Sequence, residues 1–192
     1  MNVAIYLYDG YFETELCVSS MLFSKQNIFT LASNQATVKC MDGKKVVIDR
    51  NVADVKPDEI DVLIIPGGSP IPREDIFELI RACEKRGAII GGICGGVDYL
   101  AYAGILEDRK YTSYYEPKET YEFLPRTGQL TYGLYESDRN VVSAKPEAYL
   151  DFALELYRLA GLLKPEKITD YMEWFKTPSG FIFPASCFYH NK

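Results

Sequence analysis

Histidine is almost missing from this chain: His190, close to the C-terminus, is the single copy among 192 residues. Histidine is the most frequent general base in enzymes and the usual activating partner of a nucleophilic serine or cysteine. A Cys-His or Ser-His couple in the body of the chain would therefore have to recruit a residue of the tail. The sequence thus disfavours the common hydrolytic triads.

Long apolar runs, a basic leader and an excess of positive charge are also missing. No stretch reaches the ~18 apolar residues of a membrane-spanning helix, and residues 1–9 lack the charged and apolar regions of a signal peptide. Acidic residues outnumber basic ones by 27 to 21, and the formal net charge is -6, whereas nucleic-acid binders carry a basic surface. We therefore expect a cytoplasmic protein with neither a membrane nor a nucleic-acid partner.

The cysteines follow no recognisable framework. They are odd in number, irregularly spaced and without a C-x-x-C pair: Cys17, Cys40, Cys83, Cys94 and Cys187. This spacing favours neither disulfides nor a zinc site, so we expect free thiols and no metal. Cys17 and Cys83 fall on apolar helix faces and Cys40 falls in a strand, which predicts core packing for these three.

Strand and helix patterns alternate along the chain. Strands are predicted over 2–8, 28–32, 61–65, 88–93, 110–113, 129–135 and 140–143, with a hairpin of 38–41 and 45–48 around Asp42-Gly43. Helices are predicted over 13–25, 73–86, 97–103, 117–124, 146–160 and 166–175. The alternation predicts an α/β fold, a flavodoxin-like three-layer sandwich with a mainly parallel sheet and helices on both faces. We expect one domain over 1–192, with the apolar tail beyond Pro178 packed on the body or on a partner subunit.

Two glycine-rich turns follow buried strands, Pro66-Gly67-Gly68 and Cys94-Gly95-Gly96. Since the carboxyl ends of parallel strands meet at one crevice, both turns should open there. The second turn stands between a strand and a helix, as in a nucleophile elbow. Helix dipole and amide groups then predict a lowered pKa for Cys94, and the amides of Gly68 and Gly95 predict an oxyanion hole. The alternative is that Cys94 is a small buried hydrophobe.

An acid is expected beside this cysteine. Glu13 and Glu15 follow the first strand, at the same sheet edge if that strand is central. A carboxyl group buried against the thiol would have a raised pKa and could exchange a proton with the sulfur. The alternative is that both are ordinary carboxylates at a helix start, favoured by the helix dipole.

These motifs together resemble the ThiJ/PfpI superfamily, which shares its fold with class I glutamine amidotransferases. The likeness runs through most of 1–161 and rests on segments 9–15, 64–68, 93–96, 103–106, 109–114, 140–144 and 146–161. It implies that Glu15 is the acid that contacts Cys94, and that the protein is a homodimer. Ser113, with Tyr114 or Tyr115, would shape the pocket for a small-molecule substrate.

The chain departs from this superfamily at two positions that carry histidine in other members. Gly95 follows the elbow cysteine where protease-like members have histidine, and Tyr114 occupies the other position. The departures argue against protease, amidase or glutamine amidotransferase activity. Related members with a Cys-Glu pair act as glyoxalase- or deglycase-like enzymes, as isocyanide hydratases or as oxidation-sensing stress proteins.

Three functions remain open on this basis. In the first, Cys94 attacks an electrophilic carbonyl-type carbon without a cofactor, and Glu15 moves the proton. In the second, Cys94 is a redox sensor of a stress-response protein and is oxidised beside Glu15. In the third, the elbow is inactive and the chain is a scaffold.

Overall fold

The computed structural model describes residues 1–115 and 121–167, together with residues 169, 170, 173 and 175. The strands are β1 Asn2–Tyr6, β2 Asn27–Ala32, β3 Thr37–Lys39, β4 Lys45–Val47, β5 Arg50–Asn51, β6 Val62–Ile65, β7 Ile89–Ile93, β8 Lys110–Thr112, β9 Gln129–Thr131, β10 Tyr135–Asp138 and β11 Val141–Ala144. The α-helices are α1 Cys17–Leu22, α2 Glu74–Arg86, α3 Gly96–Tyr102 and α4 Tyr149–Leu159.

The central sheet confirms the predicted parallel architecture. Its strand order is β10-β11-β7-β6-β1-β2-β5, and only the β10–β11 pair among these is antiparallel. All four residues of β6 are buried, as expected for a strand covered on both faces. The chain moves outward from β1 to β2 on one side and from β6 to β7 on the other. The carboxyl ends of β1, β6 and β7 therefore surround the point where the strand order reverses, which is where open α/β sheets bind ligands.

Two consecutive glycines in β7 show that helices cover both faces of the sheet. A Cβ atom at Gly91 would lie 2.7 Å from Phe152 of α4, whereas a Cβ at Gly92 would lie 2.8 Å from Leu100 of α3. Neighbouring residues of a strand point to opposite faces, so α3 and α4 lie on opposite sides of β7. Helix α1 packs beside α4 and α2 packs beside α3, which completes the three layers.

Several local predictions are confirmed with small changes of boundary. Strands β3 and β4 form the expected antiparallel hairpin. Helix α2 ends at Gly87, whose φ of 85° gives the left-handed C-cap that the glycine predicted. The strands that carry the two glycine turns end at Ile65 and Ile93, immediately before those turns.

The predicted helix over 13–25 is wrong in its extent. Residues Glu13–Glu15 form a separate 3-10 turn, and α1 covers only Cys17–Leu22. The short turn directs the buried Glu15 side chain inward instead of along a helix surface. Cys17 is exposed at the start of α1 and does not lie on the buried face of the helix. The prediction that it packs in the core is therefore wrong.

The predicted strand over 129–135 is also wrong, because it divides into β9 and β10. The segment between these two strands bonds to other parts of the chain: the Thr112 hydroxyl donates to the Gly133 carbonyl, and the Lys145 amide donates to the Leu134 carbonyl. Strand β9 pairs with β8 in a separate small sheet, and β10 joins the edge of the main sheet. The turn that follows β10 is centred on Arg139, whose φ is 57°.

Other predictions fall wholly or partly outside the described residues. The predicted helix over 117–124 includes residues 117–120, which are not described, and 121–124 form no helix. Of the predicted helix over 166–175, residues 168, 171, 172 and 174 are not described, whereas 169, 170, 173 and 175 are helical and 166–167 belong to a 3-10 turn. The tail with Cys187 and His190 lies outside the described part of the chain. Within the part that is described, no helix combines the length and the apolar character needed to cross a membrane.

Substitution of Gly91 by alanine tests the close approach of α4 to the sheet. The added methyl group would press on the buried ends of Phe152 and Leu156. We expect Gly91→Ala to lower the free energy of unfolding by about 1–3 kcal/mol, the usual cost of overpacking, as measured by urea denaturation. Leu156→Ala removes part of the obstruction, so the double variant should lose less than the sum of the two single losses. Strict additivity would contradict this packing.

Candidate active site

Cys94 occupies a strained turn at the end of β7. Its φ of 53° is in the left-handed region, which is unusual for a residue with a side chain. Its amide donates to the Ala144 carbonyl of β11 at 2.8 Å, and its carbonyl accepts from Val97 of α3 at 3.0 Å. The conformation is that of a nucleophile elbow, in which a strand turns sharply into a helix and presents the side chain at the apex.

Two backbone amides point at the Cys94 sulfur, one from each glycine turn. The amides of Gly68 and Gly95 both donate hydrogen bonds to it. The first turn is held in place because the Tyr8 hydroxyl donates to the Pro66 carbonyl at 3.0 Å. The amides expected to form an oxyanion hole therefore already converge on the nucleophile.

Glu15 lies between the two turns, as the sequence predicted. The side chain is buried, with 4% of its surface exposed. The amide of Gly67 donates to Glu15 Oε2 at 2.5 Å, and the Cys94 thiol donates to the same carboxylate. A Cβ atom on Gly67 would lie 2.4 Å from the Cys94 Cβ and 2.7 Å from Glu15 Oε2. Only a glycine allows the acid, the turn and the thiol to approach this closely.

Burial governs the protonation of this pair. It raises the pKa of Glu15 to about 7, even though the amide of Gly67 and the thiol of Cys94 both favour the carboxylate. Burial and the adjacent Glu15 carboxylate also raise the pKa of Cys94, to about 11, against the opposing effect of the Gly95 and Gly68 amides. The predicted lowering of the Cys94 pKa is therefore wrong, because it counted the amides and the helix but omitted desolvation and the neighbouring negative charge.

The acid of this pair titrates near neutral pH, whereas the pKa of the thiol lies well above it. Glu15 passes between its acid and carboxylate forms around pH 7, so it can accept the thiol proton in one form and donate a proton in the other. The two groups interact directly, and their titration belongs to the pair as a unit. The geometry is compatible with transfer of the thiol proton to the Glu15 carboxylate.

A cavity of about 460 Å³ opens beside the sulfur. Its described lining comes from the segments that follow β1, β7 and β11, and comprises Phe12, Thr14, Glu15, Cys94, Pro146, Glu147 and Tyr149. The sequence analysis identified only Glu15 and Cys94 among these. Pro146 and Glu147 directly follow a strand of the same parallel sheet, so the rule that selected the glycine turns could also have selected them.

Comparison with known proteins agrees with this arrangement of elements. A sequence profile of the DJ-1/PfpI family matches residues 1–159. The chain belongs to the DJ-1/PfpI family. It is 30% identical over 175 residues to the glutathione-independent glyoxalase DJR-1.2 of Caenorhabditis elegans, covering 84% of this chain and 88% of that protein. It is 32% identical over 91 residues to deglycase PfpI of Pyrococcus furiosus, covering 45% of this chain and 55% of that protein.

Solved structures of DJ-1/PfpI proteins share the fold. A thiJ/pfpI family protein from Bacillus anthracis has a TM-score of 0.83 at 24% identity, covering 93% of this chain and 92% of that one. A DJ-1 superfamily protein from Agrobacterium tumefaciens has a TM-score of 0.81 at 24% identity, covering 91% of this chain and 97% of that one. These neighbours confirm the flavodoxin-like α/β architecture.

Tyr114, where other DJ-1/PfpI relatives were expected to carry histidine, forms a different cluster. Its hydroxyl and that of Tyr115 donate to Asp98 Oδ2 at 3.0 Å and 2.8 Å. Asp98 is a buried residue of α3 that the sequence analysis missed, and burial raises its pKa to about 6. Burial, followed by the charges of Asp98 and Cys94, raises the pKa of Tyr114. Tyr114 therefore lies within electrostatic reach of the sulfur.

Two residues that were predicted to shape the pocket are absent from its described lining. Ser113 is buried, and its hydroxyl has no hydrogen-bond partner among the described residues. Neither Ser113 nor Tyr114 belongs to the described cavity lining. Cys40 and Cys83 are buried, which confirms core packing for these two. Across 1–115, 121–167 and the other described positions, no three His, Cys, Asp or Glu residues are placed to hold a metal ion.

Replacement of Glu15 by glutamine tests its burial through the pH dependence of stability. The folded protein retains the Glu15 proton between the ordinary pKa of 4.5 and about 7, whereas the unfolded chain loses it. Stability due to this group therefore falls as the pH rises through that interval. Glutamine imitates the protonated acid, so Glu15→Gln should match the parent near pH 4.5 and exceed it at pH 8. The expected excess in unfolding free energy is at most about 3 kcal/mol.

The measurement is urea denaturation of both proteins at several pH values. Asp98 contributes a similar trend to both, so the difference between the two curves isolates Glu15. A difference that does not change with pH would contradict the raised pKa.

Proposed function

We propose that this protein is a cofactor-independent enzyme that converts 2-oxoaldehydes to 2-hydroxycarboxylic acids, with Cys94 as nucleophile and Glu15 as proton carrier. The observation that carries the proposal is the buried Glu15 carboxylate, which accepts a hydrogen bond from the Cys94 thiol beneath an open cavity. The similarity to a relative named as a glutathione-independent glyoxalase supports this choice of substrate.

The reaction begins when Cys94 attacks the aldehyde carbon and the thiol proton passes to Glu15. The carbonyl oxygen becomes an oxyanion on the carbon bonded to sulfur, next to the amides of Gly68 and Gly95. Proton return to this oxygen gives a thiohemiacetal and restores the Glu15 carboxylate. No cofactor is consumed in this step.

The second stage moves hydrogen from the aldehyde carbon to the neighbouring carbon. Glu15 removes the proton from the carbon bonded to sulfur, which gives an enediolate. The hydroxyl proton moves to the neighbouring oxygen, and Glu15 returns its own proton to the adjacent carbon. The product is the thioester of a 2-hydroxy acid. Water cleaves the thioester and releases the acid and the Cys94 thiol, so the sum is 2-oxoaldehyde plus water to 2-hydroxycarboxylic acid.

Peptide or amide hydrolysis is not part of this proposal. Gly95 and Tyr114 stand where histidine would supply the proton to an amine leaving group. The 2-oxoaldehyde reaction has no amine leaving group. A homodimer and a cytoplasmic location stay predictions.

A second candidate function is oxidation sensing, favoured by the two amides that converge on the sulfur. Peroxide would oxidise the thiolate to a sulfenic and then to a sulfinic acid, with release of one water at each step. The amides and the protonated Glu15 would stabilise the sulfinate oxygens. Selective oxidation of Cys94 without turnover of any 2-oxoaldehyde would favour this function over the first.

Turnover of methylglyoxal and phenylglyoxal without glutathione tests the enzymatic proposal. We expect Cys94→Ser to lose at least about 1,000-fold in kcat/KM, because the covalent step requires the thiolate. The matched control is Cys17→Ser, which alters an exposed thiol and should retain parental activity. Equal activity in the parent and in Cys94→Ser would refute the proposal.

The pH profile tests the role of Glu15 in the same assay. Attack requires the carboxylate form, and the pKa of Glu15 is raised to about 7. We therefore expect kcat/KM to rise with pH through about 7. In Glu15→Gln, kcat/KM should no longer rise with pH in this range, and it should be about 100- to 10,000-fold lower than in the parent. A rise that persists unchanged in the variant would assign the titration to another group.

A further inference from the structure

The charged residues that line the described part of the cavity are all acidic. Besides Cys94, the described lining contains two carboxylic acids, Glu15 and Glu147, and no lysine or arginine. Its other members are Phe12, Thr14, Pro146 and Tyr149, which are apolar or neutral. A molecule that reaches the sulfur therefore passes apolar surface and negative charge.

Nearby described cations are engaged elsewhere. Lys145 directly precedes the lining segment, but its Nζ donates to the Tyr132 carbonyl at 3.4 Å. Lys44 pairs with Asp42 at 2.9 Å. Neither is a member of the described lining, which therefore contains no positive charge to pair with the carboxylate of a substrate.

Glu147 is well placed to act as the selective charge. It belongs to the 3-10 turn Pro146–Ala148 that leads into α4, where a helix start favours an acidic residue. The side chain is exposed to solvent, whereas Glu15 is buried at the base of the cavity. An incoming molecule thus encounters the Glu147 charge in addition to the catalytic acid.

We infer that Glu147 is a specificity-determining residue, and that the cavity admits neutral or cationic electrophiles with an apolar substituent and disfavours anionic ones. The inference rests on the proposed function and narrows its substrate class to uncharged 2-oxoaldehydes. It also bears on product release, because a neutral 2-oxoaldehyde becomes a 2-hydroxycarboxylate anion. The Glu147 carboxylate repels this product and favours its departure.

Alkylation of Cys94 measures charge selection without any turnover. Iodoacetamide and iodoacetate differ mainly in charge, and peptide mass spectrometry reports the rate of each at Cys94. The ratio of the two rates, divided by the same ratio for 2-mercaptoethanol, cancels differences in thiol pKa. We expect the ratio of the iodoacetamide rate to the iodoacetate rate to be several-fold higher for Cys94 of the parent protein than for 2-mercaptoethanol.

Glu147 variants should change this ratio in a graded way. Glu147→Gln should reduce this ratio about threefold and Glu147→Lys about tenfold. The two substitutions change the charge at this position by one and two units, and the position is separated from the reagent by partly solvated space. The matched control is Glu78→Lys, since Glu78 is exposed on α2 and α2 packs beside α3 on the other face of the sheet. It makes the same change in net charge away from the cavity and should leave the ratio unaltered.

The outcomes separate this inference from the proposed function. A parental ratio equal to that of 2-mercaptoethanol, or one that Glu147→Lys leaves unchanged, overturns the charge selection. If the alkylation ratios are as expected but phenylglyoxal is not turned over, the charge selection is retained and the enzymatic proposal is refuted. If turnover is present, phenylglyoxal should exceed the anionic 2-oxoaldehyde 4-carboxyphenylglyoxal in kcat/KM. Glu147→Lys should reduce this difference in kcat/KM and strengthen inhibition by mandelate.

Discussion

The contact at Gly67 is the constraint on which the site depends. Its amide binds Glu15, and the absence of a side chain lets the thiol of Cys94 lie against the same turn. The next residue, Gly68, then brings its own amide to the sulfur. One backbone turn thus fixes the acid, the nucleophile and part of the anion-binding surface. Its position follows from the adjacency of β6 with β1 on one side and β7 on the other.

The chemistry of the site follows from the limited access of water to this contact. Desolvation raises the pKa values of both Glu15 and Cys94. In the proposed reaction, the Glu15 carboxylate takes the thiol proton within this contact, so attack on an electrophile needs no other base. Glu15 would then serve the function that histidine serves in other cysteine enzymes. The absence of histidine at Gly95 and Tyr114 is therefore compatible with nucleophilic chemistry on a carbonyl, where no amine has to be protonated.

Sequence periodicity and motif order sufficed to predict the parallel sheet, the elbow and the acid. The strands before Gly67 and Cys94 are short, apolar and followed by glycine turns, and these local features determine where the turns meet. Quantities that depend on tertiary surroundings were not accessible in this way. The exposure of Cys17, the interruption of 129–135 at Gly133 and the raised pKa of Cys94 all depend on distant partners. Asp98 and Glu147 lacked a motif, and only their three-dimensional neighbours distinguish them.

The paired glycines of β7 have a consequence for how the protein tolerates change. Gly91 and Gly92 leave the nucleophile's strand without side chains on either face just before Cys94, so α3 and α4 contact its backbone directly. Phe152 and Leu100 therefore limit the movement of the strand toward either helix layer, although neither belongs to the described cavity lining. Because Cys94 stands at the end of this strand, its position depends on the packing of both helix layers and not only on the residues of the cavity.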